Sequence, residues 1–301
     1  MLKLESDKDV TRFLAPYRID APGKVSLADH DPGDTDSLPG DYKDAAKDLL
    51  EQVVEWMAEQ QPRLAAENTQ SLLLIFQGRD AAGKDSMIKK VMSGLNPQGC
   101  HVTSFKHPSD EALDHDYLWR YHQKIPGSGE IGIFNRSHYE EVLIVRVHKP
   151  ILEAQGLPPA LVTKDIWQER FEDINHFERY LARNGVHVLK FFLNISAEEQ
   201  RQRFLERLEH PEKHWKFSQS DIDERAYWDD YTQAYEEAIG ATAAEHAPWF
   251  IVPADHKWFA RLVVAAAVAN KLREMDPQYP SIDEEQQKAL EAARRTLKKE
   301  G

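Results

Sequence analysis

One passage restricts the architecture more than any other: SLLLIFQ, GRDAAGK and DSMIKKVM in direct succession over residues 71–92. An apolar run ends in a turn with two glycines. The turn opens a segment whose Met87, Ile88, Val91 and Met92 share one helical face. A strand that passes at once into a helix belongs to a strand–helix–strand unit, and such units build parallel sheets covered on both faces.

The alternation continues downstream. HVTSF (101–105), EIGIF (130–134), VHVLKFFLNI (186–195) and PWFIVPAD (248–255) read as strands. DEALDHDYLWRYHQKI, HYEEVLIVRV, DIWQERFEDINHFERYLARNG and KWFARLVVAAAVANKL read as helices, with Gly185 in a C-cap position after the third. From about Asp41, Ala45, Leu49, Val53 and Met57 recur every fourth residue and add a helix upstream. The expected fold is α/β, with helices on both faces of a mostly parallel five-stranded sheet. Residues 1–40, rich in Asp, Gly, Pro and Ser, read as an extended arm. Residues 41–275 read as the folded core. Residues 276–301 read as a charged terminal helix that packs on a neighbour or stands in solvent.

A formal net charge of -13 counts against a general nucleic-acid coat protein or an anionic-membrane binder, but not against a local basic groove. Cys100 is the only cysteine, so an internal disulfide and a four-thiolate zinc site are excluded. The opening MLKLESDKDVTRF has no apolar signal-like run, and the LVVAAAVA run near residue 262 falls short of a membrane span. The expectation is a cytoplasmic protein without nucleic-acid or membrane partners.

Gly78-Arg79-Asp80-Ala81-Ala82-Gly83-Lys84 satisfies the spacing GxxxxGK, in the strand-before, helix-after context that such a loop requires. Backbone N–H groups then converge on one centre, the following helix adds its positive end, and Lys84 neutralises a terminal phosphate. The competing reading is a glycine-bearing turn with Lys84 solvated and Asp85 favouring the helix N-terminus. Asp80 is the informative departure. A carboxylate beside phosphates repels them unless a hard cation lies between, and Mg²⁺ prefers carboxylate, phosphate and water oxygens. Asp80 therefore reads as a metal ligand or as the group orienting a metal-bound water. Asp85 stands where Ser or Thr usually sits, with Ser86 one place late; ordinary helix-start chemistry accounts for both equally well.

FNRSHYEEVL (134–143) follows the strand EIGIF, and strand C-terminal ends border the cleft of an open parallel sheet. Asn135 and Arg136 should therefore lie near Asp80. Arg136 offers a rigid fork for phosphate oxygens, and Asn135 offers a carbonyl to a metal or a water. Lys106, just past HVTSF, joins the phosphate contacts. Of Glu140 and Glu141, one faces an acceptor or metal, or both are solvated. Farther on, Arg203 and Arg207 share a helical face, with Arg201, Lys213 and Lys216 nearby. On an acidic chain this basic helical hairpin reads as a flap over phosphates that excludes water, or, given Glu206, Glu209 and Glu212, as a solvated charged helix. Trp215 and Trp228 read as packing anchors. His210 and His214 lack a third ligand, HExxH is absent, and no dinucleotide-binding glycine fingerprint occurs.

GRDAAGKD, VMSGLNPQG, TSFKHPSDEALDHDYLWRYHQKIPGSGEIGIFNRSHYEEVL and PWFIVPADHKWFARL, in that order, closely resemble the family-2 polyphosphate kinases over about residues 40–275. The resemblance implies a P-loop kinase-like core with a helical lid, here about residues 197–238. It also implies phosphoryl transfer from inorganic polyphosphate to a nucleotide with Mg²⁺ or Mn²⁺, often in a homo-oligomer, a dimer or tetramer. It makes Gly78–Lys84 the P-loop, Asp80 the metal-associated aspartate, Lys84 the phosphate-binding lysine and Arg136 the phosphate-contacting arginine of the Walker B region. Many relatives carry DRSWYN where this chain has Asn135, His138 and Glu140, which counts against direct metal ligation by Asn135. The variant resembles the subgroup that phosphorylates both nucleoside monophosphates and diphosphates, in which the acidic residue at the place of Glu140 serves the acceptor or its second metal. The expected partners are polyphosphate and adenine nucleotides; nothing in the residues separates adenine from guanine. Two other readings stand beside it: a nucleotide kinase with ATP as donor, and a polyanion-binding protein without catalysis.

Overall fold

In the computed structural model, which describes residues 7–300, the centre is a six-stranded sheet. Its strands are β1 (Arg18–Ile19), β2 (Ser71–Gln77), β3 (Cys100–Ser104), β4 (Ile131–Asn135), β5 (Val186–Asn194) and β6 (Trp249–Pro253), in the order β1-β6-β5-β2-β4-β3. β2 through β6 are parallel where they pair, and β1 alone runs antiparallel, against β6. The mostly parallel sheet is as expected. Its strand count is not, because β1 comes from the segment read as an arm. Two residues carry no periodicity to read, and they hold their place through Arg18 opposite Phe250, Ile19 opposite Trp249 and the Ile251 amide donating to the Tyr17 carbonyl at 2.8 Å.

The helices that frame the core and the site are α1 (Asp7–Leu14), α2 (Lys43–Glu67), α3 (Lys84–Val91), α4 (Ile166–Arg183), α5 (Ala197–Glu209), α6 (Gln219–Asp223), α7 (Trp228–Thr242), α8 (Lys257–Met275) and α9 (Glu284–Leu297). β2 shows the layering directly. Leu72, Leu74 and Phe76 join one core with residues of α1, α2, α3 and α8, while Leu73 and Ile75 join the other with residues of α4 and α7. Helices α4 and α2 close on turns that demand left-handed backbone: Gly185 has φ +81° past the end of α4, and Asn68 has φ +53° at the end of α2.

Three local expectations shift. α2 buries Ala46, Leu50, Val54, Met57 and Leu64, one position on from the stripe of Ala45, Leu49 and Val53. A strict four-residue repeat drifts around a helix of 3.6 residues per turn, so its members cannot all face one core. DEALDHDYLWRYHQKI forms two single turns, Asp110–Leu113 and Trp119–His122, and HYEEVLIVRV splits into a tight turn and Ile144–Val147. The segment read as an arm is anchored over its described part: Val10, Phe13, Leu14 and Tyr17 are buried against α8, where Phe13 and Tyr17 meet Phe259 edge-on. Its first six residues lie outside the described ones. Among the described residues no helix is long and apolar enough to cross a membrane, α8 included. α9 is a helix with a complete capping box from Asp283 and Gln286, exposed along its length.

Candidate active site

The loop Gly78–Lys84 leaves the C-terminal end of β2, between β4 and β5, where neighbouring crossovers run to opposite sides and a cleft must open. Gly83 has φ +102°, and Ala81 accepts a left-handed φ of +60°. At Gly78, with φ +155°, a Cβ would lie 3.1 Å from the Leu193 carbonyl oxygen and 3.2 Å from the Ala82 Cβ, so a side chain there would strain the turn. Lys84 folds back along the loop, its Nζ donating to the Gly78 carbonyl at 2.5 Å and to the Arg79 carbonyl at 3.4 Å. Burial and then the Arg136 guanidinium lower its pKa, against Asp80 and Glu140.

Arg136, one residue past β4 at φ +64°, stands between two carboxylates. Its Nη2 donates to Asp80 Oδ1 at 3.1 Å, and its Nη1 lies 3.9 Å from Glu140 Oε2. Burial works against its charge, but Glu140 and Asp80 outweigh it and raise its pKa. Burial pushes the Glu140 carboxyl up, opposed by Arg136, Lys84 and an amide from Gln77. In the orientation that satisfies both ends of that amide, Gln77 donates to Glu140 Oε1 at 2.8 Å and accepts from the Ser137 amide and hydroxyl at 3.0 and 3.1 Å. Glu141 turns away into a separate buried set, with its carbonyl and carboxylate near Arg170 and Gln155 donating to Oε2.

The Asp80–Arg136 pair lines two cavities at once. The larger, about 630 Å³, is lined by Lys84, Lys106, Arg207, Lys213 and Lys257 together with Asp85 and Asn135. The smaller, about 180 Å³, has Leu143, Ile144, Tyr231 and Tyr235 as its less polar wall, and Glu140, Asp221 and Glu224 as carboxylates. Of the residues singled out in the sequence, Gly78, Arg79 and Glu140 line the smaller cavity, and Asp80 and Arg136 line both. Ala81, Gly83, Lys84, Asp85, Lys106, Asn135, Arg203 and Arg207 line the larger, while Ala82 is buried beneath the loop.

Several of them are engaged differently from their sequence reading. Asn135 Nδ2 donates to Asp85 Oδ1 at 2.6 Å, so the amide is tied to the residue after the P-loop lysine. Arg203 is buried, and its guanidinium donates to the carbonyls of Ala81, Ala82, Ala254 and Asp255 and to Glu199. It fastens the phosphate loop to α5 and to the end of β6. Arg207 keeps a partly exposed pair with Asp221 at 3.1 Å. Arg79 sends its side chain into α7, over the Trp228 ring, and Trp228, read as a packing anchor, itself lines the smaller cavity. Trp215, read the same way, is 78% exposed. The side chain of Lys216 lies outside the described ones. Cys100 is a half-buried thiol whose pKa burial raises to about 11, far from nucleophilic character at neutral pH.

Gln77, Asp221, Tyr235 and Lys257 went unseen in the sequence. Only Gln77 left a trace there, as the polar residue closing an otherwise apolar strand next to the loop. Among the described residues no group of three or more His, Cys, Asp or Glu could hold a metal ion. What the site offers is two carboxylates, Asp80 and Glu140, on either side of one guanidinium. That donor set fits a hard cation carried mainly by substrate phosphates and water, the usual manner of Mg²⁺.

The sequence profile described as Polyphosphate kinase 2 matches residues 40–280. The chain belongs to the polyphosphate kinase 2 family. It is 47% identical over 258 residues to an ADP-polyphosphate phosphotransferase of Rhodopseudomonas palustris, covering 85% of this chain and 89% of the relative. It is 43% identical over 264 residues to an AMP/ADP-polyphosphate phosphotransferase of Meiothermus ruber, covering 88% and 94%. The crystal structure of polyphosphate kinase 2 from Arthrobacter aurescens TC1 superposes with a TM-score of 0.80 at 38% identity, over 92% of this chain and 96% of that one. The family drawn from GRDAAGKD and FNRSHYEEVL is thus borne out.

Proposed function

We propose that the chain transfers the terminal phosphoryl group of inorganic polyphosphate to an adenine nucleotide, turning AMP into ADP and ADP into ATP. The observation that carries this reading is the Asp80–Arg136 pair shared by two cavities of different chemistry. The lysine-lined cavity suits a featureless polyanion, and the smaller one, with an apolar wall, suits a nucleoside. The names of the Rhodopseudomonas and Meiothermus relatives support the same donor and acceptor.

In the transfer, an oxygen of the acceptor's terminal phosphate attacks the terminal phosphorus of polyphosphate. The bond from that phosphorus to the bridging oxygen breaks, and the shortened chain leaves with the electron pair. Little covalent chemistry falls to the protein, so alignment and charge compensation dominate. The loop amides and Lys84 hold the donor's end. Arg136 stands at the boundary, placed to gather equatorial oxygens as charge shifts across it. Asp80 and Glu140 are the residues that would hold Mg²⁺ or Mn²⁺, which when bound neutralises facing phosphates. The excursion from α5 through α7, residues 197–238, acts as the lid that keeps water from the transferring group. Because one phosphoanhydride replaces another, the ratio of reactants sets the direction.

The test is a nucleotide assay with AMP or ADP, polyphosphate and Mg²⁺, and no other nucleotide present. ADP and ATP should form from AMP. Product only when ATP is supplied as donor would replace this reading with an ordinary nucleotide kinase, and polyphosphate binding without product would leave a binding protein.

A further inference from the structure

The Arg79 side chain leaves its own loop and crosses to α7. Its guanidinium carbon lies 4.0 Å from the centroid of the Trp228 ring, with Tyr235 at 5.8 Å and Phe192 at 6.0 Å. Nη2 donates to Thr232 Oγ1 at 2.5 Å, and that hydroxyl donates to the Trp228 carbonyl at 2.8 Å. Nε is buried with no partner. The residue is 8% exposed, and among the described residues no carboxylate pairs with it. Burial lowers its pKa, with Tyr235, Glu236 and Asp229 acting the other way from a distance.

A cation so deeply buried without a counter-anion is costly, and a stacked ring with one neutral hydroxyl offsets only part of that cost. The same side chain lines the smaller cavity, as do Asp80 and Arg136. Arg136 is already paired with carboxylates there, and Arg225, bonded to Gln200 and the Ala197 carbonyl, is only half-buried and keeps contact with water. Trp228 covers one face of the Arg79 guanidinium, so the approach left open is edge-on. In that plane N–H groups bind phosphate oxygens, whereas a base offers only neutral acceptors that leave the charge uncompensated.

We infer that Arg79 binds the 5′-phosphate of the acceptor nucleotide and, through Thr232 and Trp228, fastens α7 over it. This rests on the polyphosphate-to-nucleotide reading above and names the side chain that holds the acceptor's phosphate.

The test is calorimetric titration of AMP, adenosine and inorganic polyphosphate, each separately, into the wild-type protein and into Arg79→Met. Loss of one charge-assisted contact should weaken AMP about ten- to a hundredfold while adenosine and polyphosphate bind as before. Arg79→Lys, which keeps the charge without the planar fork, should recover part of the loss. It also serves by the same AMP-to-adenosine comparison if the methionine variant does not fold. AMP affinity unchanged, or AMP and adenosine weakened equally, would reduce Arg79 to a structural pin and overturn the inference. Selective loss of AMP in a protein that makes no nucleotide product from polyphosphate would uphold the contact and sink the phosphotransfer reading instead.

Discussion

Arg203 Nη1 lies 2.8 Å from the carbonyl oxygen of Ala82 in the phosphate loop. Ala81, Ala254, Asp255 and Glu199 take its other N–H groups, so the guanidinium ties α5 to the loop and to the end of β6 at once. With its donors committed, it has none to spare for a ligand. Arg203→Met should therefore cost about 3 kcal/mol of stability, since buried charge-assisted bonds are lost together. Polyphosphate affinity should fall only as far as the loop loosens. Urea unfolding and equilibrium binding read the two separately, and a large affinity loss at unchanged stability would return Arg203 to the role of a phosphate contact.

Arg207 is the converse. One turn along the same helix, it keeps a partly exposed pair with Asp221 and lines the lysine-rich cavity. Pairs of this exposure contribute about 1 kcal/mol at most, so Arg207→Gln should barely move the unfolding midpoint. It should raise the KM for polyphosphate severalfold and flatten the dependence of that KM on salt, because one screened attraction is gone. Kinetics indistinguishable from wild type across a salt series would make α5 ordinary surface at that point.

Asp80→Asn separates binding from chemistry. The amide keeps the size of the carboxylate and its bond from Arg136, but it contributes no negative charge for a hard cation. Turnover should fall at least about a hundredfold. Polyphosphate should bind as tightly as before or more tightly, because a repelling charge beside the loop is gone. Near-normal turnover at saturating Mg²⁺ would refute the assignment.

The pattern of what the sequence disclosed follows from the range of the interactions involved. β2 and the loop after it were legible because an apolar run and a glycine spacing are local signals. Asp80, Arg136 and Glu140 were legible because they follow strand ends, which point to the cleft of any parallel sheet. Arg203 was not, since nothing local distinguishes a guanidinium that meets four distant carbonyls from one in water. β1 was invisible for a similar reason: its two residues are a strand only because β6 lies beside them. The Asp85–Asn135 bond joins residues fifty positions apart, and alone Asp85 reads as a helix-start residue and Asn135 as a carbonyl for a metal or a water.

The anchoring of the N-terminal segment is testable far from the site. Phe13 is 4% exposed and meets Tyr17 and Phe259 edge-on at centroid distances of 6.2 and 5.9 Å. Phe13→Ala should cost about 3–5 kcal/mol, the range for truncating a buried phenylalanine. Turnover per folded molecule should stay at the wild-type value. A destabilisation below about 1 kcal/mol would mean that α1 does not rest on α8 in solution.

Behind the Arg136 turn, Lys190 and Glu178 form an ion pair at 2.5 Å with both side chains fully enclosed. Tyr139 donates to Glu178 at 2.8 Å, and Lys190 also donates to the Thr242 carbonyl at 2.8 Å, so β5, α4 and α7 meet at one polar knot inside an apolar layer. Burial alone would push the Glu178 carboxyl up, but the Lys190 ammonium and the His138 contact outweigh it and hold its pKa below the usual range. Breaking the pair leaves a buried charge unmatched, so Glu178→Gln should cost about 3–5 kcal/mol at neutral pH, while Glu178→Leu combined with Lys190→Met should recover much of that. The sign with pH follows from the lowered value. A depressed carboxyl stabilises the fold above its unfolded pKa of about 4.3, and that contribution fades as pH falls toward the folded pKa. The stability gap between wild type and Glu178→Gln should therefore be widest near neutrality and narrow in acid. Urea unfolding of both proteins at several pH values measures the gap, and a gap that widened on acidification would show that the pair does not hold Glu178 ionised.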